Sequence, residues 1–199
     1  MIKRIVGIAV TIVMALLMAG AARPADLSQT VILVASHHLD GSPFEQTVVV
    51  AASLPDGGHI GFIVNRPTRV RLETLFPDQA LARNVEEPVY LGGPVLTDGV
   101  FVLMRSAPDD TEISIPLTPG VVAVLDGTTI DRVIESTPNA ARYFVGLMVW
   151  GADELEQQIA GGLWEVRPAD ADSVLPATVP DLWTSLRGPL ANTDRSSPG

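Results

Sequence analysis

The chain has 199 residues, no cysteine, and 23 acidic against 13 basic side chains, a net charge of −10 at neutral pH. That balance repels phosphate backbones and anionic lipid surfaces, so nucleic acid is not an expected partner. Disulfide and thiol chemistry are excluded, and Lys3 is the only lysine, so a chain trimmed past it has no Schiff-base, phosphate-cradling or general-base lysine.

The N-terminus sets the expected compartment. Lys3 and Arg4 precede Ile5–Ala22, 18 residues without a charge that close on the small residues Ala19-Gly20-Ala21. Residues 1–25 therefore read as a signal peptide, cleaved on the general secretory route, with a periplasmic or secreted product. Kept uncleaved, the same run is barely long enough to be a membrane anchor. Cleavage near Ala21, which removes Lys3 and Arg4, leaves no membrane insertion and makes the net charge two units more negative. Residues 26–190 suit one domain with a sizeable core, and polar residues 191–199 read as a disordered tail.

In chain order, Thr30–Ala35 is a short β-branched run and reads as a buried strand, followed by a loop marked by Gly41 and Pro43. Gln46–Leu54 and His59–Val64 are two more strands, and Pro55-Asp56-Gly57-Gly58 between them predicts a hairpin. Leu72–Phe76 makes one helical turn, ended by Pro77. Val89–Leu91, Gly99–Met104, Glu112–Ile115 and Val121–Leu125 follow as strands, with Asp109-Asp110 in a turn. Thr128 or Thr129 is the expected cap of a helix through Ser136, with Ile130, Val133 and Ile134 on one face. Arg142–Trp150 is the most apolar late strand. Ala152–Ala160 reads as a helix stopped by Gly161-Gly162, and Leu163–Arg167 as a last strand. Thr178 and Asp181 form an expected capping box for a helix through Leu186. Strands dominate without regular strand–helix alternation, which favours an α+β fold.

Several segments together resemble the YqgE/AlgH family: SPFEQTVVV at Ser42–Val50, GHIGFIVNRPT at Gly58–Thr68, VYLGGPV at Val89–Val95, VFVLMR at Val100–Arg105, the run from Gly146 to Val166, and LWTSL at Leu182–Leu186. The resemblance implies one α+β domain whose bent, forked sheet closes into a pseudo-barrel with short helices packed outside. It brings no established reaction, cofactor or catalytic residue; one branch of the family is described as regulating polysaccharide-production genes. Most family members carry no export signal. Where they have G-Y-A-G-W-G, this chain has Gly146-Leu147-Met148-Val149-Trp150-Gly151.

The candidate binding residues are Asn65, Arg66, Thr68, Gly92 and Gly93. Pro67 disfavours helical geometry at Arg66 and donates no hydrogen bond, so the strand must leave its ladder there. One reading has this trio pin a corner of the barrel, with Arg66 paired to Glu73 or Glu86. The other has Arg66 project an anion-binding fork beside Gly92-Gly93, whose bare backbone admits a ligand. His37, His38, Asp40 and His59 suggest a metal, but adjacent residues on an extended segment point apart and the spacing is no zinc signature. No G-x-S-x-G or H-E-x-x-H is present. Glu86-Glu87 and Asp109-Asp110 read as solvated acid pairs, and Trp150, Trp164 and Trp183 as packing residues. The function expected is a non-enzymatic binding or regulatory module for a protein or a small anionic ligand, with no metal or cofactor. The alternative is a cell-envelope hydrolase built on loop carboxylates or histidine.

Overall fold

The computed structural model describes residues 26–106, 113–177 and 179–187. Residues 1–25, expected as a leader, the Asp109-Asp110 turn, Thr178 and residues 191–199 lie outside them. Among the described residues the strands are β1 (Val31–Ala35), β2 (Val48–Ser53), β3 (His59–Ile63), β4 (Tyr90–Leu91), β5 (Val95–Met104), β6 (Ser114–Thr118), β7 (Val121–Val124), β8 (Ala141–Trp150) and β9 (Trp164–Pro168). The helices are α1 (Leu72–Leu75), α2 (Gly127–Ser136), α3 (Glu154–Ala160), α4 (Ala171–Val174) and α5 (Leu182–Arg187). None of the described helices is long and apolar enough to cross a membrane.

The strands form one curled sheet in the order β6-β7-β5-β8-β3-β2-β1-β9. Every pairing along that path is antiparallel; β4 joins β8 in parallel, off the path. The result is a half-barrel with a few short helices, as the sequence led us to expect. β1–β3 read as unbroken apolar runs because both of their faces are covered. Ile32, Val34, Val50 and Phe62 point inward, while Leu33, Val49 and Ala51 point outward under α3, Trp150 and Trp164. A second outer cluster, Val102, Val124 and Tyr143, is covered by Leu72 of α1 and by Ile130, Val133 and Ile134 of α2.

β8 is the spine of this arrangement. Up to Val145, even-numbered Phe144 faces inward and odd-numbered Tyr143 outward; from Leu147 onward the odd residue is inward, while Met148 and Trp150 face outward. Gly146, at φ +69, makes the switch. A left-handed residue inserted in a strand shifts the period-2 alternation by one, and glycine adopts it without a Cβ penalty. One strand can thereby serve two differently oriented halves of the sheet. Leu147 and Val149, where family members have tyrosine and glycine, are buried and half-exposed respectively.

Two capping expectations are corrected. The cap of α2 is Asp126, whose carboxylate accepts from the Thr129 N–H at 2.7 Å; the threonines lie inside the helix. α5 begins at Leu182, so Asp181 precedes it instead of standing at its third position. A reciprocal capping box occurs instead at Asp170 and Ser173 of α4.

Candidate functional site

The corner at Asn65-Arg66-Pro67 is where the chain changes partners. The β2–β3 ladder ends with the Val64 N–H donating to Val48 O at 2.9 Å. The Asn65 side chain then supplies one more rung, Oδ1 accepting from Val48 N and Nδ2 donating to Gln46 O, both at 2.8 Å. An amide is suited to this because it offers a donor and an acceptor, as a peptide group does. Beyond it the backbone pairs with the β4 segment instead: Leu91 N donates to Arg66 O, and Thr68 N to Val89 O, both at 2.9 Å. Thr68 Oγ1 also donates to Val89 O at 2.6 Å.

Arg66 meets neither Glu73 nor Glu86. Its Nη2 donates to the Glu45 carbonyl at 2.7 Å, while Glu73 pairs with Arg71 at 3.0 Å. The guanidinium therefore holds the Ser42–Glu45 loop against the corner. Gly92 and Gly93 are equally occupied. Gly92 sits in the fork between β3 and β8, accepting from Ile63 N and donating to Val145 O, both at 2.8 Å. A Cβ on Gly92 would stand 2.3 Å from Gly146 O, and one on Gly93 2.2 Å from the Leu147 carbonyl carbon. What approaches the bare glycine backbone is β8. All five residues come together, and their polar groups go largely into joining β2, β3, β4 and β8.

Beside this corner lies a cleft of about 260 Å³ that the sequence did not disclose. Gln46, Asn65 and Pro67 form one side and Pro180, Asp181 and Trp183 the other. Trp183 is fixed in place: its indole N–H donates to Ala35 O at 2.8 Å, and the Arg187 guanidinium lies 4.9 Å from its ring centre. Trp150 and Trp164, by contrast, are buried, and both indoles donate to the single Gln158 Oε1, at 3.0 and 2.8 Å.

The histidines diverge. His37 Nδ1 is 3.1 Å from Asp40, whereas His38 Nδ1 donates to Gly162 O at 3.0 Å and buried His59 donates from Nε2 to Leu27 O at 3.2 Å. Among the described residues no three His, Asp or Glu side chains converge as metal ligands would. The His37–Asp40 spacing is what a hydrolytic base requires, but Nε2 lies 2.9 Å from Arg187 Nη1. Arginine only donates, so Nε2 accepts that bond and its lone pair is already engaged.

A second polar cluster went unread in the sequence. Arg142 heads the apolar strand β8 yet faces the barrel interior, opposite Leu103. Its Nη2 lies 2.7 Å from Glu87 Oε1, and its guanidinium lies 4.8 Å from the Tyr90 ring centre. The Tyr90 hydroxyl donates to the same carboxylate oxygen at 2.8 Å. The available signal was a lone charge at the head of an otherwise apolar run. Burial, reinforced by the hydrogen bond to Glu87, pushes the Tyr90 hydroxyl up to about 12. Burial also raises Tyr143, whose hydroxyl donates to Pro138 O at 3.0 Å. A raised folded value stabilises the native state at every pH below the ordinary tyrosine value of about 10, and that contribution disappears as pH climbs through the folded value. These are the only two tyrosines. Tyrosinate absorbance at 295 nm is therefore expected to stay flat past pH 10 and to rise near 12, together with loss of near-ultraviolet dichroism. A midpoint near 10 in the folded protein would contradict this placement of both rings.

With this geometry in place, comparison with known proteins is informative. The AlgH-like family model matches residues 32–190. The chain belongs to the AlgH-like family. Among its AlgH-like relatives, a UPF0301 protein of Chlorobium limicola is 30% identical over 77% of this chain and 81% of its own. Another, from Polaromonas, is 33% identical over 69% and 75%. The solution structure of the AlgH protein from Pseudomonas aeruginosa superposes with a TM-score of 0.68 at 23% identity, covering 88% of this chain and 96% of that one. At that identity the likeness speaks for the AlgH fold alone.

Proposed function

We propose that this chain is an exported, non-catalytic AlgH-like module that binds a basic, extended segment of a partner protein in the cleft between the Asn65 corner and α5. The observation that carries the reading is backbone conformation. Gln46 and Asp181, two of four non-glycine residues at positive φ among those described, line this one cleft from its two sides, at +56 and +65. Such conformations cost roughly 1–3 kcal/mol and persist where the surroundings impose them, often at binding sites. The immobilised Trp183 and the two prolines offer apolar wall, and Asp181 offers a carboxylate. Among the described residues no arginine lines the cleft, so a small anionic ligand meets no counter-charge from them. Export is supported by the basic start, apolar run and small-residue ending of residues 3–22. Against hydrolysis stands the occupied Nε2 of His37.

Native mass spectrometry on the protein from its own envelope fraction tests both halves. The expected spectrum shows a chain beginning near Ala21 that retains a partner protein, and the partner is lost in Thr184→Arg, an exposed position on the cleft wall. An intact N-terminus would overturn export. A wild-type chain with no partner would overturn the binding reading.

A further inference from the structure

The open end of the barrel holds a separate cavity of about 390 Å³, lined by Glu87, Leu103, Arg105, Asn139, Arg142 and Leu175 among others. Its size is typical of small-molecule sites, which recur at the mouths of barrels. Leu103, fully buried, belongs to the inner core, so the cavity opens directly above it.

The polar groups around this cavity are unevenly used. Arg142 is 9% exposed and directs Nε and Nη2 onto a single oxygen, Glu87 Oε1, at 2.9 and 2.7 Å. Nη2 also donates to Pro176 O at 3.0 Å. Its Nη1 is buried with no acceptor among the described residues. With Tyr90 donating to it as well, Oε1 takes two hydrogen bonds and the ion-pair contact of Nη2, while Oε2 takes none among the described residues. A guanidinium nitrogen buried without an acceptor is expensive in a closed structural pair and calls for a reason, and Oε2 of the 39% exposed Glu87 beside it is taken by no protein donor among the described residues. Arg105 follows the end of β5, two residues beyond Leu103, the partner of Arg142. Its one ion pair among the described residues, to Asp172 at 3.2 Å, joins side chains 61% and 92% exposed, and pairs of that kind hold an arginine weakly.

We infer that this cavity binds a small zwitterion of the free amino-acid class, its carboxylate toward the guanidinium side formed by Arg105 and Arg142 and its ammonium on Glu87 Oε2. A bare anion would face the unused oxygen of Glu87 and a chain of net charge −10; a bare cation would face two guanidinium groups. A neutral molecule with both charges meets a counterpart for each. Arg142 has a positioning role, since its Nε hydrogen bond and its Nη2 ion pair both hold Oε1 and leave Oε2 for the ligand.

The test is isothermal calorimetry on the purified protein with each common free amino acid at millimolar concentration. Acetate, methylammonium and inorganic phosphate serve as single-charge probes at matched ionic strength. We expect at least one amino acid to bind with one-to-one stoichiometry and the three single-charge probes to give no heat. Binding should weaken about tenfold or more in Arg105→Gln, an exposed substitution that leaves the urea midpoint unchanged. No amino acid binding, equal binding of acetate or phosphate, or undiminished binding by Arg105→Gln would each overturn the assignment.

Discussion

Gly93→Ala is expected to destabilise the domain by roughly 3 kcal/mol or more, enough to leave much of a marginal fold unfolded. The added Cβ would lie 2.2 Å from the Leu147 carbonyl carbon, 2.3 Å from its oxygen and 2.6 Å from Met148 N. All three are backbone atoms of β8, so no side chain can swing away. The strand itself would have to move, and it is paired on both edges, to β5 and to β3 or β4. Gly127→Ala supplies the contrast. That glycine opens α2 with nothing within 4 Å of an added Cβ, so alanine should be neutral or stabilise by a few tenths of a kcal/mol. Urea midpoints for the two variants measure the difference. Equal midpoints would mean that β8 does not pass over Gly93 as described.

The same glycine pair shows why part of the molecule was readable in the sequence and part was not. L-G-G-P announces a position where something must come close to the backbone, but sequence does not say whether the visitor is a ligand or the next strand. Here it is a strand, because the fork between β3 and β8 leaves room for Gly92 alone. The strands were legible where one local rule decided them: β1 to β3 are β-branched runs bounded by turn residues, and Pro55-Asp56-Gly57-Gly58 closes their hairpin. The parity switch in β8 was not, since a single left-handed glycine inside RYFVGLMVW leaves the apolar pattern unbroken. Arg66 was legible as a fixing residue and its partner was not, because a guanidinium satisfies itself on a carbonyl as well as on a carboxylate. Both clefts depend on the stretch from α4 to α5, which folds back onto residues more than thirty positions earlier: Pro176 onto Arg142, and Trp183 onto Ala35. No local signal encodes that return.

Removing Glu87 should be the most costly change among the exposed and half-exposed acids. Glu87→Ala leaves Arg142 with its charge inside the barrel mouth, its side chain 10% exposed, and strips the acceptor from both Nε and Tyr90. Breaking a buried pair from one side costs about 3–5 kcal/mol; the carboxylate here is 39% exposed and water can fill part of its place, so about 3 kcal/mol is expected. Arg142→Met gives up the bond to Pro176 and the contact with Tyr90, but leaves behind a carboxylate that water can reach. If the two side chains act as one unit, the double variant should cost less than the sum of the single ones, by about 2 kcal/mol in a denaturation cycle. The cycle also separates the pair from the ladder around it, because Leu103↔Arg142 pairing is carried by backbone and survives either substitution. A coupling below about 0.5 kcal/mol, the usual error of additivity, would mean that Glu87 and Arg142 are held in place independently. The single carboxylate oxygen shared by Arg142 and Tyr90 would then not organise the barrel mouth.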